Sequence, residues 1–220
     1  HPEDYYDYAQ ACDIICFDIY PVASGRVETD NKLWLVADGV DRLRSVVEPG
    51  QVVWNYVECT DISGNGKATP AQVKAEVWMS LIHGSQGILY FCHGKSPDSD
   101  FDEQALLKDP VMLAAVGEIN WQVRSLARVL NSPTLTGVVS TSSSNPQAPV
   151  HTMVKRLDGC TYVFSVVMRN ASTTVTYTSF QLPPFSAAEV IGEDREIPLS
   201  AGMFSDQLGG FGVGLYRIVS

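Results

Sequence analysis

Gln51-Val-Val-Trp-Asn-Tyr-Val-Glu58, Thr69-Pro-Ala-Gln-Val-Lys-Ala-Glu-Val-Trp-Met-Ser-Leu-Ile-His-Gly84 and Gly87-Ile-Leu-Tyr-Phe-Cys92 follow one another as strand, helix and strand. The first and third runs are short, apolar and rich in β-branched and aromatic residues, as buried strands are. Between them, Thr69 can accept a hydrogen bond from a first-turn N–H. Pro70 fits the first helical position, and Gln72 can reach back to complete a capping box. Val73, Val77 and Leu81 lie on one helical face and Ala75, Met79 and Ile82 on another, so the helix reads as largely buried. Gly84 supplies its C-terminal stop.

The same alternation extends in both directions. Upstream, Asp13 to Tyr20 is an apolar strand stopped by Pro21, and residues 32 to 47 carry Leu33, Val36, Val40, Leu43 and Val47 at helical spacing. Downstream, Asp109-Pro110 opens a helix that runs to about Leu130 before Asn131-Ser132-Pro133 breaks it. Connections this long exclude hairpins and imply parallel strands joined by right-handed crossovers. Each strand is apolar on both faces, as parallel strands covered by helices are. Residues 1–131 therefore read as one α/β domain.

From Thr134 the helical period disappears. Short alternating runs take over at 134–141, 150–156, 161–168, 173–180, 188–191 and 212–219, and Asp158-Gly159 is a strong hairpin signal. Spacing of about ten residues fits an antiparallel β-sandwich over residues 132–220. The formal net charge of −10 argues against nucleic-acid binding. No apolar run approaches the roughly 20 residues of a membrane span. Five cysteines at scattered positions form no disulfide framework. The start at His1-Pro2-Glu3, without Met, reads as a processed product or a fragment. The compartment is open: the thiols lean cytoplasmic, and the start permits secretion.

Glu58 is the first candidate for chemistry. It ends a buried strand, and the C-terminal strand ends carry the ligand site in barrels and open α/β sheets alike. By the period of two, Trp54, Tyr56 and Glu58 share a face. A carboxylate among aromatic rings suits a sugar, whose pyranose faces stack on such rings. Asp18 and Tyr20 occupy the equivalent end of the preceding strand, where Tyr20 could hydrogen-bond Glu58. Tyr90, Phe91 and His93 end the third strand. Cys16, Cys59, Cys92 and His93 have no metal-ligand spacing, so no metal or other cofactor is expected.

The runs from Val53 to Glu58 and from Ala68 to Phe91 resemble the last quarter of a retaining glycoside hydrolase (β/α)₈ barrel of the β-galactosidase-like and cellulase-like clan. Asp13 to Pro21 is similar to the sixth strand of such a barrel. A β-sandwich closing on a run like Val213-Gly-Leu-Tyr-Arg-Ile218 is also common there. The resemblance implies a partial barrel followed by a sandwich, with Glu58 as nucleophile and Tyr20 orienting it. It implies Tyr90 or Phe91 as part of the sugar platform, and double displacement through a glycosyl-enzyme intermediate; strand position adds Trp54, Tyr56 and His93 as sugar contacts. The family's acid/base glutamate lies on a fourth strand that this chain does not include.

Three parallel strands cannot close a barrel, and their free edges need partners. The expected partners are a carbohydrate and either a second copy of this chain or a missing N-terminal barrel chain. Asp18 could stand near Glu58 as a second carboxyl group. Two other classes are consistent with the residues. One is a non-catalytic carbohydrate-binding or structural remnant. The other is a promiscuous ester or phosphoester hydrolase using Asp18, Glu58 and His93.

Overall fold

The computed structural model describes residues 2–96, 99–183 and 185–219. The chain divides into two compact units, His1–Glu118 and Ile119–Ser220. No helix among the described residues is long and apolar enough to cross a membrane.

The first unit opens with a 3-10 turn (Pro2–Asp4) and a short helix α1 (Tyr5–Ala9). Strand β1 (Ile14–Asp18), helix α2 (Leu35–Val46), strand β2 (Val52–Glu58), helix α3 (Pro70–Ile82) and strand β3 (Gly87–Phe91) follow. A small hairpin of β4 (Gly94–Ser96) and β5 (Ser99–Asp102) precedes helix α4 (Pro110–Ser125). The three strands form a parallel sheet in the order β1-β2-β3. In register, Asp18 lies opposite Tyr56 and Glu58 opposite Phe91.

One face of this sheet is closed by helices. Val40 and Leu43 of α2 bury Val53 of β2, with Ile15 and Phe17 of β1 packed alongside. Helix α3 begins with the capping box of Thr69 and Gln72 that its sequence predicts, with Pro70 in the first turn. Val73, Ala75, Val77, Trp78 and Met79 are all fully buried. The other face differs from expectation. Ile14, Cys16 and Asp18 are exposed and Trp54 and Tyr56 are half-buried, because helices cover one side only among the described residues. Apolar composition on both faces thus marks strands that can be covered twice, not strands that are.

Gly39 shows how tightly the covered face is built. A Cβ at this helical position would stand 1.9 Å from Phe17 Cε1. Alanine raises helix propensity by about 1 kcal/mol over glycine. Gly39→Ala should nevertheless destabilise the unit by about 1–3 kcal/mol, because the Phe17 ring must leave its seat. A raised denaturant midpoint for this variant would refute the packing argument.

The second unit holds α5 (Ala127–Leu130), β6 (Thr134–Leu135), β7 (Ser140–Ser143), β8 (Val150–Leu157) and β9 (Cys160–Val167). It continues with β10 (Thr173–Thr178), β11 (Phe185–Val190), β12 (Glu196–Ser200), β13 (Met203–Leu208) and β14 (Val213–Val219). Asp158 and Gly159 both have positive φ (50° and 73°) and join β8 to β9, as that dipeptide predicts. All nine strands belong to one hydrogen-bonded sheet, in the order β6-β8-β9-β14-β11-β12-β13-β10-β7. The joint between β12 and β13 is a single residue pair, Ser200 with Met203.

The sheet curls around its core. Tyr216 of β14 and Tyr177 of β10 are far apart in strand order, yet their ring centroids are 5.1 Å apart. Tyr177 also stacks on Phe204 at 4.6 Å. Val163, Val175, Ala188 and Ile218 complete a fully buried centre.

Candidate functional site

Glu58 ends the central strand and has no solvent exposure. The chain leaving β1 bends at Pro21 and presents consecutive backbone N–H groups to it. Val22 N–H donates to Oε1 at 2.7 Å, and Ala23 N–H donates to Oε2 in a shorter bond. Ser24 N–H bonds back to Tyr20 O at 3.2 Å, and Ser63 Oγ donates to Ala23 O, which fixes the segment.

From the helical side, Glu76 of α3 reaches the Glu58 carboxyl. It too is fully buried, and neither of its oxygens receives a full hydrogen bond. One turn further, Ser80 Oγ donates to Glu76 O and Asn55 Nδ2 donates to Ser80 Oγ at 2.8 Å. A polar seam therefore runs through the otherwise apolar interface between β2 and α3. Burial raises the pKa of Glu58, against the lowering effect of the Val22 and Ala23 N–H groups and of Glu76. Burial also pushes Glu76 well above the ordinary carboxylate range, and the charge of Glu58 adds to the effect, against the lowering influence of the Glu58 backbone N–H.

The alternation of β2 predicts Glu58 on the face of Trp54 and Tyr56. Those two are half-buried, whereas Val57 and Glu58 are both buried, so the exposure pattern breaks at the strand's last residue. The expected Tyr20–Glu58 hydrogen bond is not formed. The backbone at Val22 and Ala23 occupies both carboxylate oxygens, and the Tyr20 hydroxyl lies beside Asp18 instead. Burial, then the Asp18 carboxylate, drives the Tyr20 phenol strongly upward. Asp18 itself is exposed at the end of β1.

The sugar-contact candidates separate into two groups. Tyr20 packs on Phe91 with centroids 5.2 Å apart, Phe91 meets His93 edge-on at 5.5 Å, and His93 meets Phe101 at 4.7 Å. These four rings form a row across the C-terminal ends of the strands. Phe101 is 57% exposed and was not legible as a site residue, since it sits among aspartates in a run that reads as a polar loop. Trp54 is seated over Gly87, where a Cβ would lie 2.6 Å from the indole ring. Tyr90 alternates with Phe91 and stands near the Cys59 and Cys92 thiols, away from the row. Burial, then Cys92, lifts the Cys59 thiol to about 12.

A polar cleft of about 440 Å³ lies between the loops after β2 and β3, lined by Lys67, Lys95, Lys108, Asp61, Asp102 and Asp109 among others. Lys67 is paired with Asp109, and Lys108 with Asp102 at 2.6 Å. The cleft is thus largely self-neutralised. The described residues contain no cluster of three or more His, Cys, Asp or Glu suited to a metal ion, and all five cysteines are free thiols.

The fold of this chain is similar to that of parts of solved glycoside hydrolases, of which it spans about half the length. A GH27 β-L-arabinopyranosidase from Geobacillus stearothermophilus, solved with arabinose, superposes with a TM-score of 0.58 at 11% identity, covering 99% of this chain and 48% of that one. An α-amylase from Geobacillus thermoleovorans, complexed with acarbose, gives 0.56 at 10% identity, covering 100% and 57%. A bifunctional glucanase-xylanase from a metagenome library gives 0.53 at 13% identity, covering 100% and 47%. No protein-family model and no curated protein sequence matches.

Proposed function

We propose that this chain is the carbohydrate-facing portion of a glycoside hydrolase-type barrel, in which Glu58 clamps the chain after β1 rather than attacking a sugar. The observation that carries this reading is the state of Glu58. It is fully buried, with both oxygens held by backbone N–H groups. A nucleophile must reach an anomeric carbon, and retaining hydrolysis needs a second carboxyl group about 5 Å away. The binding surface is the aromatic row of Tyr20, Phe91, His93 and Phe101, with Trp54, Tyr56 and Asp18 on the half-open face of the sheet. Rings of this kind offer flat apolar area to pyranose faces and leave polar groups at the rim for hydroxyls.

A second reading makes Glu58 the nucleophile of a retaining hydrolase, oriented from β1. Its place at the end of the central strand favours it, since barrel catalytic groups come from strand ends. Residues 21–24 would then have to withdraw before substrate is attacked.

One pair of assays separates the two. Aryl-glycoside hydrolysis is measured for the wild type and Glu58→Gln, with oligosaccharide binding followed by tryptophan fluorescence. The clamp reading expects no hydrolysis to lose and binding that survives Glu58→Gln. It expects affinity to fall about tenfold in Trp54→Ala. Hydrolysis by the wild type that disappears in Glu58→Gln would establish the nucleophile instead.

The edges of β1 and β3 carry a further expectation. Open parallel edges pair with additional strands, so the isolated chain should self-associate unless the remaining barrel strands are supplied. Native mass spectrometry should show more than one copy. A monomer that unfolds cooperatively at micromolar concentration would refute this.

A further inference from the structure

Glu58 and Glu76 pose a charge problem that holds whichever reading of Glu58 is correct. Both carboxyls have no solvent exposure. They stand against each other, and no cation acts on either among the described residues. Two uncompensated negative charges in dry contact repel strongly, whereas one proton between them turns the repulsion into a charge-assisted hydrogen bond. The donors decide where the proton belongs. Glu58 already accepts from two backbone N–H groups, the environment of an ionised carboxylate. Glu76 is faced by one backbone donor, the N–H of Glu58, and neither of its oxygens receives a full hydrogen bond, so a proton placed on it completes the set.

We propose that Glu76 is protonated at neutral pH and donates to an ionised Glu58. This single proton makes the pair a latch that holds residues 21–24 over the C-terminal end of β2 and releases them when it is lost. The other ionisable groups facing the pair are Tyr20, from the end of β1, and Cys59, next along β2. Burial holds both neutral far into the alkaline range, so the Glu76 proton leaves first. Its departure puts a second negative charge in the seam, and opening the cover lets water reach both carboxylates. The site beneath the cover is the end of the central strand, where Glu58 stands.

The test uses the 220-residue chain. Infrared spectroscopy in D₂O reads a carboxylic-acid C=O stretch, which ionised carboxylates lack. Amide exchange, expressed as protection relative to the unstructured chain, reads Val22 and Ala23. The wild type should show a protonated buried carboxyl at neutral pH that disappears on alkaline titration. Protection of Val22 and Ala23 should fall at least tenfold over the same interval. Glu76→Gln should lack the band and keep both amides protected across that interval, because the introduced amide still donates to Glu58 and cannot ionise. Absence of the band from the wild type at neutral pH would overturn the proposal. So would loss of the band without loss of protection, or a Glu76→Gln chain as pH-sensitive as the wild type. If Glu76→Gln does not fold, the two wild-type measurements decide by themselves.

Discussion

Glu58→Ala should lower the stability of the first unit by about 3–5 kcal/mol, a loss on the scale of breaking a buried, hydrogen-bonded charge. The truncation strands three groups at once. Val22 and Ala23 N–H lose their acceptor, and Glu76 loses the group its carboxyl faces. Each buried polar group left unpaired costs about 1–3 kcal/mol, and the void adds to that. Glu58→Gln is milder, since its carbonyl still accepts one N–H while its amide faces the other donor. A loss of about 1–3 kcal/mol is expected there. Urea unfolding monitored by the fluorescence of Trp34, Trp54 and Trp78 gives the midpoints. A wild-type midpoint for Glu58→Ala would show that the clamp contributes nothing.

Stability of the same unit should fall as pH rises above the ordinary carboxylate range, and Glu76→Gln should flatten that fall. The folded-state pKa of Glu76 lies well above its reference value of 4.5. Between the two values the unfolded chain has released the proton and the folded chain keeps it. The folded state then binds more protons, so the unfolding free energy declines with pH at up to about 1.4 kcal/mol per unit. Glu58, also raised, has the same sign. Asp109 has the opposite sign. The Lys67 ammonium hydrogen-bonded to it lowers its pKa, so its contribution is present above the reference value and is lost as pH falls through the folded value. The difference between wild type and Glu76→Gln removes the Asp109 contribution and leaves that of the coupled pair. Denaturation curves from pH 5 to pH 9 should diverge, with the variant gaining relative stability toward the alkaline end. Parallel curves would mean that Glu76 titrates normally.

Much of the frame was legible. The Thr69-Pro70-Ala71-Gln72 start of α3, the positive-φ pair Asp158-Gly159 and the three parallel strands all follow from local chemistry. So does the position of Glu58 at a strand end. The strands missed were those whose residues do not look buried. Strand β7, Ser140-Thr-Ser-Ser143, is reached only at Ser140 and Thr141, the end of the 134–141 run, and β12 and β13, missed entirely, carry Glu196 and Asp206 among short apolar runs. Glu76 had a readable signal. A helix apolar on more than one face buries whatever lies between those faces, and Glu76 lies between Ala75 and Val77. Phe101 had none, because its partner His93 is a sheet-end residue that only the chain reversal after β3 brings close.

The sequence by itself determined where the three parallel strands, the long helices between them and the Asp158-Gly159 turn lie, because periodicity, capping and turn chemistry act over a few residues. It also determined which residue types stand at the ends of the parallel strands. Only the tertiary structure decided what those residues do there. The hydrogen bond from Val22 to Glu58 spans 36 residues, and that from Ala23 spans 35. Whether a carboxylate meets water, a sugar or two amide protons depends on how a distant segment returns over it. That return is set by loop closure and by the burial of the whole unit, and no local pattern around Glu58 encodes it.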